Sequence, residues 1–125
     1  MVGGVPIAHG VISYANWRAL GYYNGVSYQH RAWINAEGTP AGGGQLQGVN
    51  QSIPKGWGGV QGVIYRNGTP CASSSVGYNS VPVTILANST TKNCGAGTYF
   101  AMTYSHMWDG YRYQIVSYTS PTQTK

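Results

Sequence analysis

The chain has 125 residues and a formal net charge of +5, although only 7% of its residues are charged. This length suits one core, so we expect residues 1–125 to form a single domain. Aromatic residues reach 13%, too many for a disordered chain. The cations are dispersed and no apolar run approaches the ~20 residues that span a bilayer, so we expect no nucleic-acid partner, no membrane span and only a mild attraction to anionic cell envelopes.

The first predicted element is a β-hairpin at Asn24-Gly25. Asn-Gly pairs between β-rich runs favour type I′ turns, because both turn positions need a positive φ. Pairing across this turn is expected to gather apolar side chains on one face: Trp17, Ala19, Tyr23, Val26, Tyr28, Ala32 and Ile34. Trp33 falls on the opposite face, which makes it a candidate surface residue.

The next segment, residues 40–59, is predicted to be mostly loop because it is rich in glycine and proline. A loop of this length in a compact domain usually carries function. Further along, the apolar run from Val81 to Ala87 predicts a strand.

A second hairpin is predicted at Asn67-Gly68, between two β-rich runs. This turn would place Ile64 opposite Cys71. Pro70 cannot donate a hydrogen bond within a β-ladder, so it indicates an edge strand.

A third hairpin is predicted at Asp109-Gly110, as a type I′ turn that pairs Trp108 with Tyr111. The alternative, a catalytic pair of Asp109 and His106, is disfavoured because an acid in a tight turn has its own turn-forming role. The hairpin pairing is expected to gather one apolar face: Phe100, Met102, Tyr104, His106, Trp108, Tyr111, Tyr113 and Ile115.

These hairpins predict an all-β fold, a small antiparallel β-sandwich of about six to eight strands, in preference to a small barrel. Cys71 and Cys94 belong to no metal-binding motif, and we expect them to form one disulfide; two unpaired buried thiols are the alternative. An oxidising compartment then implies a secreted protein whose leader has been removed.

Catalytic chemistry finds little support in the sequence. The two acids, Glu37 and Asp109, both lie at predicted turns, which disfavours the carboxylate pair of a glycosidase. The three histidines are isolated along the chain, whereas zinc ligands usually occur in close pairs, and His30 and His106 are interpreted as packed side chains. We therefore expect no enzymatic activity, no metal and no cofactor.

The aromatic residues are the best indication of a binding site. Eleven Tyr and four Trp exceed what one small core readily buries, since their polar atoms need partners. Exposed aromatic rings among Asn, Gln and Ser suit sugar stacking or a protein interface. The candidate ligand-binding residues are Trp33, Trp57, Tyr22, Tyr65, Trp108 and Tyr111. The alternative is that these side chains cover an edge of the core.

The second half of the chain carries an Asn-Gly turn followed by Cys-Ala-Ser-Ser, the sequence CGAGTYF, a Trp-Asp-Gly-Tyr turn and a Ser-Pro-Thr-Gln tail. In these features it resembles small secreted β proteins of Gram-positive bacteria, particularly actinobacteria, that carry no assigned function. The resemblance implies secretion and a disulfide, and it transfers no site.

The leading hypothesis is a secreted, non-enzymatic protein that binds a cell-surface glycan or an extracellular protein through exposed aromatics, as a monomer or as a component of a secreted complex. A cationic antimicrobial or toxin component acting at cell envelopes, a protease inhibitor and an adapter that pairs through an edge strand are the alternatives.

Overall fold

The computed structural model describes residues 11–125, so His9 lies outside the described residues. The described chain is all β and contains no helix. Eight strands have five or more residues, within the predicted range, and three have two. The strands are β1 (Ser13–Tyr14), β2 (Arg18–Tyr23), β3 (Val26–Asn35), β4 (Ala41–Gly48), β5 (Gly58–Arg66), β6 (Thr69–Ser73), β7 (Gly77–Tyr78), β8 (Ile85–Thr91), β9 (Thr98–Trp108), β10 (Tyr113–Thr119) and β11 (Gln123–Thr124).

The strands form two antiparallel sheets. The five-stranded sheet has the order β1-β3-β4-β8, with β2 also pairing with β3. The six-stranded sheet has the order β10-β9-β5-β6, with β7 also pairing with β5 and β11 with β9. The two sheets pack face to face through two groups of buried apolar side chains. The predicted β-sandwich is confirmed.

The glycine-rich segment at residues 41–48 is a central strand, so the prediction of a loop over residues 40–59 is wrong for its first half. Its glycines serve close packing between the sheets. A Cβ atom on Gly44 would lie 2.0 Å from Thr103 Oγ1, and one on Gly62 would lie 2.8 Å from the Cα atom of Gly43. Only residues without side chains fit where the sheets approach this closely.

The Asn24-Gly25 hairpin is confirmed, with φ angles of 50° and 94° at the two turn residues. A β-bulge between Ala19 and Gly21 shifts the register further from the turn. Beyond the bulge, Ala19 pairs with Gln29, which places Ala19 on the outer face of the sheet and not on the predicted inner face.

The Asn67-Gly68 hairpin is also confirmed, with φ angles of 50° and 81°. A register shift near Tyr65 places Ile64 opposite Ala72, so the predicted Ile64–Cys71 pair is wrong by one residue. The edge position that Pro70 indicated is correct, because β6 is the last strand of its sheet.

The strand predicted from Val81 to Ala87 begins at Ile85 and continues to Thr91. The preceding residues form a loop that is held by the buried side chain of Asn79. Its amide nitrogen donates to the carbonyl oxygens of Ile53, Pro54 and Val81 at 2.9–3.0 Å.

The third hairpin exists, but its turn differs from the predicted type I′ turn. Trp108 pairs with Tyr113, so residues 109–112 form a four-residue loop, and the predicted Trp108–Tyr111 pair is wrong. Asp109 Oδ1 accepts hydrogen bonds from the backbone nitrogens of Tyr111 and Arg112, which stabilises the longer loop. The register error is two residues, so the predicted side chains that lie within β9 and β10 still share a face, whereas Tyr111 lies in the loop.

That shared face points away from the other sheet, although an apolar face normally packs into the core. The side of β9 that faces the other sheet carries Tyr99, Ala101, Thr103, Ser105 and Met107, all of which are buried. The small residues among them fit against the glycines of β4. The larger and more aromatic face of β9 therefore forms the outer surface of the sandwich.

Cys71 and Cys94 form the predicted disulfide, which excludes the alternative of two free thiols. Cys71 lies on the edge strand β6, and Cys94 lies in the loop that leads from β8 to β9. The bridge therefore ties the edge of the six-stranded sheet to the crossover between the two sheets.

Candidate binding face on the six-stranded sheet

The outer surface of the six-stranded sheet carries a continuous set of aromatic side chains. Their positions follow from strand alternation, which directs every second residue of β5, β9 and β10 outward. We call this surface the aromatic face; it comprises Gln61, Val63, Tyr65, Tyr78, Phe100, Met102, Tyr104, His106, Trp108, Tyr113 and Ile115. None of these positions carries Asp, Glu, Lys or Arg.

Four rings cluster at one end of the aromatic face. The ring centroid of Tyr113 lies 5.0 Å from that of Tyr78, 5.1 Å from that of Trp108 and 6.3 Å from that of His106. Such spacings and tilted orientations are those that aromatic pairs prefer. The Tyr113 hydroxyl donates to the carbonyl oxygen of Gly56, which fixes the central ring of the cluster.

A second aromatic pair lies at the other end of the face. The rings of Tyr65 and Phe100, which are cross-strand partners, are stacked 4.8 Å apart and nearly parallel. A hydrogen bond with the side chain of Tyr104, followed by burial, raises the pKa of Tyr65. Tyr104 thus links this pair to the middle of the face.

An open cleft of about 430 Å³ lies between the aromatic face and the edge strand β6. Its lining combines apolar surface with amide and hydroxyl groups: Gln61, Val63, Pro70, Cys71, Ala72, Ser73 and Tyr104. The side-chain nitrogen of Gln61 donates to the carbonyl oxygen of Ser74, which orients the amide along the cleft. An apolar surface with a few oriented polar groups is typical of a binding site.

The aromatic face is electrically neutral at neutral pH. Burial lowers the pKa of His106, so its ring is uncharged. Burial, together with the neighbouring Tyr113, raises the pKa of Tyr78, so its hydroxyl stays protonated. Ring stacking and hydrogen bonding are therefore the interactions that this face offers to a ligand.

His106 and Asp109 have different hydrogen-bond partners and do not bond to each other. The His106 Nδ1 atom lies 3.5 Å from the Tyr78 hydroxyl. The Asp109 carboxylate instead accepts from its own turn and, at 2.7 Å, from the side-chain nitrogen of Gln114. The hydrogen bonds of this turn lower the pKa of Asp109, first among them that from the Arg112 backbone.

A histidine–serine pair occurs in the core, out of contact with solvent. His30 is 0% exposed; its Nδ1 atom lies 2.7 Å from Ser105 Oγ, and its ring stacks on Tyr118 at 5.2 Å. Burial, and secondarily the nearby Arg18, lowers the pKa of His30 to about 4. The pair connects the two sheets and is inaccessible to a substrate.

The six predicted site residues do not lie together. Tyr65 and Trp108 are on the aromatic face, and Tyr111 projects from the tip of the loop at residues 109–112 with 89% of its surface exposed. Trp57, predicted to be a surface residue, is partly buried and packs against the core.

Tyr22 and Trp33 lie on the outer face of the five-stranded sheet, on the opposite side of the molecule. Tyr22 is 69% exposed and borders a shallow apolar depression of about 310 Å³. Trp33 is half-buried beside Tyr14 of β1. These two residues cannot contact the same small ligand as the aromatic face.

The sequence prediction missed Tyr78, Tyr104 and Tyr113 as surface residues. The alternation within β9, where large side chains alternate with mostly small ones, could have identified Tyr104, but Tyr78 on β7 and Tyr113 on β10 lie outside that strand. Small residues mark the inner side of β9 because β4, directly across the core, is rich in glycine.

Within residues 11–125, no helix is long and apolar enough to cross a membrane. The described part of the chain also contains no group of three or more His, Cys, Asp or Glu side chains that could hold a metal ion. Comparisons with protein-family models, curated proteins and solved structures find no match to this chain.

Proposed function

We propose that this protein is a secreted, non-enzymatic binding protein that recognises a cell-surface glycan through the aromatic face. The observation that carries the proposal is the row of outward aromatic rings on the six-stranded sheet, which runs without a charged side chain beside a cleft lined by amide and hydroxyl groups.

The chemistry of this face favours a neutral glycan. Pyranose rings have apolar C–H surfaces that pack against aromatic rings, while their hydroxyl groups need hydrogen-bond partners. Gln61, Ser73 and the Tyr104 hydroxyl border the cleft and provide such partners. Anionic polymers are disfavoured, because such ligands are recognised by Lys and Arg, and these strand positions carry neither.

The disulfide supports secretion. Structural disulfides persist in oxidising compartments and are rare in reducing ones. Cys71 of the bridge Cys71–Cys94 also lines the cleft. An oxidising compartment, which maintains the disulfide, therefore also maintains this part of the proposed binding site.

The test is binding to insoluble polysaccharides and to a glycan array. Trp108→Ala and Tyr104→Ala are each expected to weaken binding about tenfold or more, because aromatic anchors dominate such interfaces. Trp33→Ala is the matched control, because it removes an aromatic side chain from the opposite outer face. It is expected to leave binding unchanged.

Two results would contradict the proposal. One is the absence of any glycan ligand; the other is a ligand whose binding depends on Trp33 and not on Trp108. Capture of a specific extracellular protein that depends on Trp108 would replace the glycan with a protein partner at the same face.

A further inference from the structure

Within residues 11–125, the edge strand β10 lacks the features that normally protect an exposed strand edge. Edges are usually blocked by charged residues, prolines, bulges or covering loops, because their free backbone groups can pair with another strand. Over its length, Tyr113–Thr119, β10 has no charged residue and no proline. Its seven residues pair with β9 in one continuous register without a bulge.

Two of the other long edge strands carry protective features. The strand β2 contains a bulge and the cation Arg18, and β6 contains Pro70 and a register shift. The strand β8 has no charged residue, proline or register shift, but Asn88 accepts a hydrogen bond from the Ser89 backbone nitrogen and donates to the carbonyl oxygens of Val60 and Ser75, all at 2.9 Å. Among the edge strands of five or more residues that the structure describes, β10 is the one that combines an uncharged, proline-free and bulge-free sequence with no side-chain hydrogen bond to its backbone.

We propose that β10 pairs with β10 of a second copy of this chain, in an antiparallel arrangement about a twofold axis. The register that uses all seven residues is centred on Val116. It places Ile115 opposite Ser117 of the second copy and Gln114 opposite Tyr118 of the second copy, and no like charges face each other.

Charge complementarity supports a second copy of this chain as the partner of β10. Gln114 and Tyr118 lie on the inward side of β10. The guanidinium carbon of Arg18 lies 5.5 Å from the Tyr118 ring centroid, and the Gln114 side chain holds the Asp109 carboxylate at 2.7 Å. Pairing Tyr118 with Gln114 of the second copy therefore brings Arg18 of one chain towards Asp109 of the other, twice per dimer.

The dimer is expected to be weak, because seven residues form an edge of about 24 Å and interfaces at the small end of the range are usually transient. Its consequence would be a continuous sheet in which two aromatic faces lie side by side. The pairing itself does not depend on the proposed glycan binding, and it is measured without any ligand.

The experiment is sedimentation equilibrium of the whole chain over a concentration series from about 10 µM to about 1 mM, where weak dimers are detected. We expect a reversible monomer–dimer equilibrium. The double variant Ile115→Lys with Ser117→Lys places like charges opposite each other across the axis, and it should raise the dissociation constant at least about tenfold.

The matched control is Ile85→Lys with Ala87→Lys, which introduces the same charges at exposed positions of the edge strand β8 in the other sheet and should retain the dimer. The variant Arg18→Gln should weaken the dimer several-fold, and its dimerisation should depend less on salt than that of the unaltered chain. Circular dichroism verifies that each variant is folded.

Concentration-dependent protection of the β10 amides from hydrogen exchange provides a second measurement on the unaltered chain. The proposal is overturned if the chain stays monomeric across the series. It is also overturned if the β8 variant and not the β10 variant dissociates the dimer, or if protection on self-association appears elsewhere.

Discussion

The two outer faces of the sandwich are both rich in aromatic residues, but they use them differently. On the five-stranded sheet, Arg31 lies between two rings, with its guanidinium carbon 3.9 Å from the ring centroid of Tyr14 and 4.5 Å from that of Trp17. Its Nε atom also donates to Gln45 at 2.7 Å. These aromatic groups are already occupied by partners within the chain.

On the six-stranded sheet, the rings contact one another and leave the cleft open. No cation is placed among the outward positions of β5, β9 and β10. Aromatic content alone therefore does not locate a binding surface. A ring that already stacks on a cation has used the interaction that it could offer to a ligand.

The largest effect on stability is expected from a substitution at Gly44, because the close approach of Gly44 to Thr103 brings the two sheets together. Gly44→Val would force the sheets apart, and we expect it to lower the free energy of unfolding by about 3 kcal/mol or more, measured by chemical denaturation. Ala87→Val, at an exposed position of β8, is the control. A variant Gly44→Val as stable as the unaltered chain would contradict the assigned close packing.

Acid is expected to destabilise both faces together through His30. The unfolded chain protonates this histidine near pH 6.5, whereas the folded chain does so near pH 4. The unfolded state therefore binds more protons between these values, and stability falls by about 3 kcal/mol as the pH drops from 6.5 to 4, then levels off with respect to this group.

Denaturation across this pH range measures the effect of His30. The variant His30→Gln cannot titrate and should lose most of the slope. An identical slope in that variant would assign the acid sensitivity to another group.

Loss of the disulfide is expected to affect the six-stranded sheet more than the five-stranded sheet. The bridge joins residues 23 positions apart, and its removal is expected to lower the free energy of unfolding by about 3 kcal/mol in the chain-entropy model. The double variant Cys71→Ala with Cys94→Ala should increase hydrogen exchange in β6, which borders the cleft, more than in β3 of the other sheet. Equal increases in both strands would show that the bridge acts only on global stability.

The smallest effect is expected from Arg31→Ala, which removes the cation from the five-stranded face. We expect a loss of about 1 kcal/mol in the free energy of unfolding and no change in glycan binding. Arg31→Lys should recover only part of the stability, because lysine lacks the planar group that stacks and bonds to Gln45. Weakened binding in Arg31→Ala would contradict the division of roles between the faces.

The local chemistry of the sequence determined much of the fold. Asn-Gly at residues 24–25 and 67–68 requires positive φ at two successive positions, so these two turns could be predicted without any tertiary contact. Cys71 and Cys94 belong to no metal-binding motif, which favoured the disulfide that the structure contains. Pro70 cannot donate within a β-ladder, which predicted that its strand lies at the edge of a sheet.

Packing between the two sheets sets which side of each strand is buried. Alternation in β9 defines two sides but does not say which one faces the core, and the larger aromatic side was the natural expectation. The glycines of β4 reverse that expectation, because Gly44 approaches Thr103 too closely for large side chains to fit between the sheets. The rings of β9 therefore lie on the outer surface, where Tyr104, His106 and Trp108 are part of the aromatic face.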